Sequence, residues 1–199
     1  MMRIRSSRTI GITFVIMASF AMMTSAPAMT APNGITYDCD TAADHFSELV
    51  LPAPKGPFIV RGQVKVKAIA ASEEYVPLTR LAIMEAPEKL GASSQNQAGF
   101  SLAALPAGKL GVKTKDKNAV LHFANWDERQ AGSEVSHDLF PLADTQDARP
   151  FSLAYDGKSV VAQFAGQQQT MALDVDAPVV RLIFSTGEFL YTNLTIDAQ

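Results

Sequence analysis

Three side chains in the middle of the chain have types and spacing that could do chemistry together: His122, Trp126 and His137. Val120 to Trp126 and Ser133 to Phe140 flank a six-residue polar stretch, Asp127-Glu128-Arg129-Gln130-Ala131-Gly132. A hairpin closed by that stretch, with Trp126 opposite Ser133, sets His122 opposite His137. Even spacing places Trp126 and His122 on one strand face, about 13 Å apart at roughly 3.3 Å per residue, a span that suits an oligosaccharide of a few units. An indole stacks on a sugar ring, imidazoles hydrogen-bond hydroxyls, and a histidine is also competent as a base. Two histidines fall short of the three or four ligands a zinc site wants. Val120, Ala124, Val135 and Leu139 share that face, so it also reads as core with Trp126 as an anchor. A slip of one residue would set Asp138 opposite His122 instead.

The other candidates are carboxylates and one thiol. Asp174 and Asp176 alternate at a strand end before Ala177-Pro178, and point to one side. They could hold Ca²⁺ with loop carbonyls, or be solvated turn residues, which is where Asp is common. Cys39, the single cysteine, lies between Asp38 and Asp40. Flanking carboxylates disfavour its thiolate and argue against a nucleophile, and no intramolecular disulfide is possible. Arg181, among apolar neighbours, is expected to pair with a carboxylate. No catalytic residue is assigned: the sequence has no glycine-rich phosphate loop, Cys-x-x-Cys pair or nucleophile elbow.

The elements that would position these residues are strands. Most apolar segments run four to eight residues between Gly, Pro, Asp or Ser. The clearest hairpin is Phe151 to Phe164, in which Asp156-Gly157 reads as a type I′ turn. That register faces Tyr155 with Lys158, Leu153 with Val160 and Phe151 with Ala162, one side being core and the other mostly wet. Further strands are expected over 58–69, 76–84, 99–105, 120–126, 134–140, 170–175, 179–185 and 190–196, with 42–50 readable as a short helix or a strand. About ten strands exceed what one small open sheet carries, so an all-β domain of two packed antiparallel sheets is predicted.

Composition bounds the function. The 199 residues are 47% apolar with a formal charge of −3, which excludes disordered chains and disfavours direct nucleic-acid binding. Arg3, Arg5 and Arg8, the apolar run Ile10 to Met23, and Ala26-Pro27-Ala28 read as a secretory signal over residues 1–28, too short to span a bilayer. Its removal leaves a domain over residues 29–199 with a charge of −6, in the periplasm or outside the cell, with no membrane span.

The residues Phe-Ser-Leu-Ala-Tyr-Asp-Gly from 151, Val-Val-Ala-Gln-Phe-Ala-Gly from 160 and Val-Val-Arg-Leu-Ile-Phe-Ser-Thr-Gly-Glu-Phe from 179, closing on Leu-Tyr-Thr-Asn-Leu-Thr-Ile, carry a resemblance. This stretch resembles the C-terminal half of concanavalin A-like domains, the jelly-roll sandwich of legume lectins, laminin-G-like modules and several glycan-cleaving enzymes. The resemblance implies a two-sheet jelly roll. Catalytic members often carry a Glu-x-Asp-x-Glu strand, which this sequence lacks. The expected function is therefore an exported, non-catalytic domain that binds glycans or another cell-envelope component, through Trp126, His122 and His137. The alternatives are a structural or protein-interaction role in the envelope, or a carbohydrate-active enzyme, a polysaccharide lyase more readily than a hydrolase.

Overall fold

The computed structural model describes residues 34–70, 72, 74–89, 94–106, 119–143 and 147–199. The secretory signal expected over residues 1–28 lies outside them. The described residues hold eleven strands and no helix: β1 (Ile35–Pro52), β2 (Phe58–Ile69), β3 (Leu78–Glu85), β4 (Gln97–Pro106), β5 (Val120–Gln130), β6 (Ser133–Val135), β7 (Phe140–Leu142), β8 (Arg149–Tyr155), β9 (Ser159–Phe164), β10 (Gln167–Ala172) and β11 (Pro178–Ala198). All pairings are antiparallel.

One long strand explains how two sheets arise from a single ladder. β11 pairs with β3 from Pro178 to Ser185 and with β2 from Gly187 to Ala198, while β1 pairs along its opposite edge between Val179 and Leu194. Leaf one is therefore β10-β9-β8-β2 and leaf two is β3-β4-β5 with β6 and β7, joined by the β1–β11 ribbon. The ribbon changes leaf where Thr186 adopts φ 53° and β1 slips register between Thr41 and Phe46, with Asp44 at φ 62°. Strands that switch sheets through such bulges make the corners of folded sheets. The expected sandwich is thus one sheet folded on itself, and the segment open to helix or strand is strand.

Alternation decides which face is core. In leaf one Phe58, Val60, Phe151, Leu153, Tyr155, Val160, Ala162 and Phe164 turn inward, and in leaf two Leu81, Ile83, Phe100, Leu102 and Ala124 do so. The leaves meet through aromatic rings: Phe100 of β4 stacks on Phe164 of β9 at 4.3 Å and tilts against Phe151 of β8 at 5.5 Å. Tyr191 is fully buried, and its hydroxyl lies 2.9 Å from Thr79 Oγ1, which satisfies a polar atom that the core would otherwise strand.

The β8–β9 hairpin has the predicted faces with every partner displaced by two. Tyr155 faces Val160, Leu153 faces Ala162 and Phe151 faces Phe164. The turn is Gly157-Lys158, with positive φ (103°) at Gly157 alone, the pattern of a type II′ turn. Asp156 flanks it and accepts hydrogen bonds from the Lys158 and Ser159 amides at 2.8 and 2.7 Å. Those amides hold its carboxyl below the usual range. Because side chains alternate with period two, a slip of two leaves core and solvent faces unchanged.

Candidate functional site

Trp126 and His122 share the inward face of β5, and that face is core. The indole is buried with its ring 5.4 Å from Phe140, while buried His122 lies between Ala104 and Leu142 of the neighbouring strands. His137 is not opposite His122. β5 continues to Gln130, turns at Ala131-Gly132 (φ 49° and 82°), and pairs Gln130 with Ser133 and Glu128 with Val135. His137 follows β6 and sets Nε2 2.7 Å from Glu128 Oε2, while Gln130 Nε2 donates to Glu128 Oε1 at 2.5 Å. The expected six-residue loop is therefore mostly strand, and the three residues form no common exposed surface.

The remaining candidates resolve into structural contacts. Arg181 pairs with Glu48, donating from Nε at 2.8 Å and also from Nη2, with both side chains nearly buried. Asp38 accepts from Lys67 at 2.7 Å, and Lys67 also pairs with Glu188. Those two carboxylates raise the lysine pKa. The Cys39 thiol is buried, 3.0 Å from Ser47 Oγ. Asp174 and Asp176 are exposed on one side beyond β10, and among the described residues no group of three or more His, Cys, Asp or Glu is placed to hold a metal ion.

The outward face of leaf two is where polar groups gather. Cross-strand register aligns Glu48, Ile183, Arg80, Ser101 and Asn125 in one row, and Val50, Arg181, Ala82, Gly99 and Asp127 in the next. Arg80 Nε lies 2.9 Å from Asp127 Oδ2, Gln97 Nε2 donates to Asp127 Oδ1 at 2.8 Å, and Arg129 donates to Glu134 at 3.0 Å. Burial raises the Asp127 pKa, against the pull of Arg80 and then Gln97. Among the described residues, Asn125 Oδ1 and Arg129 Nε are buried with no hydrogen-bond partner. A depression of about 70 Å³ sits there, lined by Arg80, Ser101, Asn125, Asp127, Glu134 and others. Beside it runs a mainly apolar row of Phe46, Ser185, Leu78, Ala103 and Phe123, of which Phe46 is 64% exposed and Ser185 is buried. Sequence reading missed this face because Asp127 to Gln130 looks like a loop. The signal present was the odd spacing of Asn125, Asp127 and Arg129, which puts all three on one side of a longer strand.

No protein-family model matches the sequence, and no curated protein matches it. Solved structures do match the fold. Carbohydrate-binding module CBM66 from Bacillus subtilis superposes with a TM-score of 0.51 at 12% identity, over 85% of this chain and 94% of that one. The PL7 alginate lyase of Zobellia galactanivorans gives 0.46 at 10% identity, over 76% and 65%, and the β-glucanase of Bacillus licheniformis 0.44 at 9%, over 87% and 96%. The fold is the concanavalin A-like jelly roll. The likeness extends well beyond the C-terminal strands that suggested it.

Leaf one of this jelly roll also has a shallow outward groove, of about 470 Å³. It is lined by Arg61, Ser152, Gln163 and Gln168 with the β9–β10 turn. Register puts these four side chains in one row across β2, β8, β9 and β10. Gln163 donates to Gln168 at 2.9 Å and Arg61 lies 3.6 Å from Asp197. Arg61, Gln163 and Gln168 are exposed there and Ser152 is half-exposed, whereas the polar groups on leaf two are more deeply withdrawn from solvent.

Proposed function

We propose that the protein is an exported, non-catalytic glycan-binding domain that holds a neutral sugar chain on the outward face of leaf two. The observation that carries this is the placement of two buried polar atoms that have no hydrogen-bond partner among the described residues, Asn125 Oδ1 and Arg129 Nε, beside half-exposed Arg80 and Ser101. Buried polar groups in native proteins are hydrogen-bonded to protein, water or ligand, so this face has capacity to accept and donate. Its charges are largely matched, since Arg80 meets Asp127, Arg129 meets Glu134 and Arg181 meets Glu48. What remains is amide, hydroxyl and guanidinium hydrogen bonding, suited to sugar hydroxyls more than to a carboxylated chain.

Binding is favoured over acid–base chemistry because the carboxylates here are engaged, Asp127 through both oxygens and Glu48 by Arg181. The carbohydrate-binding module among the fold neighbours supports the same reading. Export follows from the leader at residues 1–28, and an intact mass beginning near Met29 is its check. The protein-interaction alternative is favoured by one feature, the exposed Phe46, Tyr75 and Val76.

Trp126 tests the binding reading. It is the only tryptophan, it lies on β5 between Asn125 and Asp127, and its ring packs on the opposite side of the same strand. Titration with neutral oligosaccharides is expected to change its emission with saturation, with acidic oligosaccharides weaker. Binding by calorimetry with unchanged emission places the ligand elsewhere.

A further inference from the structure

The sheet has edges, and among the described residues one of them is unguarded. Edge strands present unpaired N–H and C=O groups, and native proteins blunt them with charges, proline, bulges or short length. Among the described residues β1 pairs only with β11, and it carries Asp38, Asp40, Asp44, Glu48 and Pro52 with an internal register shift. β6 and β7 are three residues each, with Glu134 in one and Pro141 in the other. β10 is Gln167-Gln168-Gln169-Thr170-Met171-Ala172, six residues paired in unbroken register with β9 alone, without a charge or a proline.

The turn fixes which groups face the free edge. Ala165-Gly166 closes a two-residue loop, so Phe164 and Gln167 form the first hydrogen-bonded pair. Alternation then gives Gln169 and Met171 to β9, and the Leu173 amide donates to Lys158 O at 2.8 Å as that pattern requires. The N–H and C=O groups of Gln168, Thr170 and Ala172 therefore point away from the sheet. Among the described residues no backbone group pairs with them. Gln169 Nε2 donates to Thr170 O at 3.1 Å, a side-chain contact that a pairing strand would have to displace or share.

We propose that β10 is a self-association edge, pairing antiparallel with β10 of a second copy about a twofold axis through Thr170. The proposal stands apart from the glycan reading. The strand is self-complementary in this register: Gln168 meets Ala172 of the partner subunit, Thr170 meets its own copy, and all three edge positions exchange hydrogen bonds, about six in total. Residues equal in parity lie on the same face, so the inward faces of the two copies stay aligned and the leaf-one sheet continues across the axis. An uncharged strand meets an uncharged strand, with no like charges opposed. The surface covered by one strand pair is below the usual 1,200–2,000 Å² of a stable interface, so a reversible monomer–dimer equilibrium is expected.

Amide hydrogen exchange of the purified protein, followed against concentration beside sedimentation equilibrium, tests this. The Gln167, Gln169 and Met171 amides should be protected at every concentration. Those of Gln168, Thr170 and Ala172 should gain about tenfold protection as the mass doubles. Thr170→Pro, which removes an edge N–H and no bond to β9, and Thr170→Lys, which opposes two cations, should both abolish dimer with unchanged circular dichroism. A monomer at all concentrations overturns the proposal. So does a dimer that leaves the three edge amides exchanging freely, or an edge that captures an extended peptide but not its own copy.

Discussion

Arg80 Nε lies 2.9 Å from Asp127 Oδ2 although β4 separates their strands. The contact crosses beside Gly99, which pairs with Ala82 on one side and Asp127 on the other and has no side chain to obstruct it. This bridge draws an aspartate into a nearly buried position on an outward sheet face and sets the polar character of the proposed site.

Asp127 should make stability depend on pH with a definite sign. Folding raises its pKa, so the folded state binds more protons there than the unfolded chain. Its contribution is full below the ordinary carboxylate value and is lost as pH rises through the raised folded value. Asp127→Asn is expected to flatten that part of the curve. Urea midpoints for both proteins across the acidic range check it, and parallel curves would contradict it.

Gly99→Ala should destabilise by about 1–3 kcal/mol, the range for overpacking. A Cβ there would meet Leu81 O at 2.0 Å and Ala82 Cα at 2.6 Å, backbone atoms that cannot rotate aside. Denaturant unfolding measures the loss, and a change under about 0.5 kcal/mol would show that the strands separate easily.

The turns give predictions of opposite sign. Gly157 has φ 103°, and Gly157→Val should lower stability because a β-branched residue resists that geometry. Ala165 holds φ 50° at the first position of its turn, where asparagine is better tolerated. Ala165→Asn is expected to raise the melting temperature, by the few degrees that about 0.5–1 kcal/mol gives in a domain this size. A fall would mean that the methyl group of Ala165 does more than fill a turn.

These turns also show what the sequence made legible. Asp156-Gly157 drew attention as a type I′ turn, yet the turns with two positive φ values are Ala131-Gly132 and Ala165-Gly166, where alanine gives no turn signal. Strand parity survived the error, because Phe151, Leu153 and Tyr155 had to face inward whatever their exact partners. Parity did not protect the His122–His137 pairing, which rested on where β5 ends. Asp127 to Gln130 reads as loop by composition, but Arg80, Gln97 and Glu134 on neighbouring strands supply partners for Asp127 and Arg129 that local sequence cannot display. β11 was divided for a similar reason. Thr186-Gly187 looks like a turn, whereas pairing on both sides makes it a bend in one strand. Trp126 and His122 did fall on one face, and the core reading that Val120 and Ala124 gave that face agrees with the burial of Trp126, His122 and Ala124 between the two leaves.

Which leaf holds the ligand decides the glycan-binding reading. Asn125→Ala on leaf two and Gln163→Ala on leaf one are matched probes, each removing one amide from an outward row without touching the core. Calorimetric titration of both variants with the neutral oligosaccharide that binds the unmodified protein best is the decisive comparison. Asn125→Ala is expected to weaken binding about tenfold, the loss of a hydrogen bond worth about 1–1.5 kcal/mol, and Gln163→Ala to bind as before. Normal affinity in Asn125→Ala with a loss in Gln163→Ala would place the sugar on leaf one and contradict the leaf-two reading.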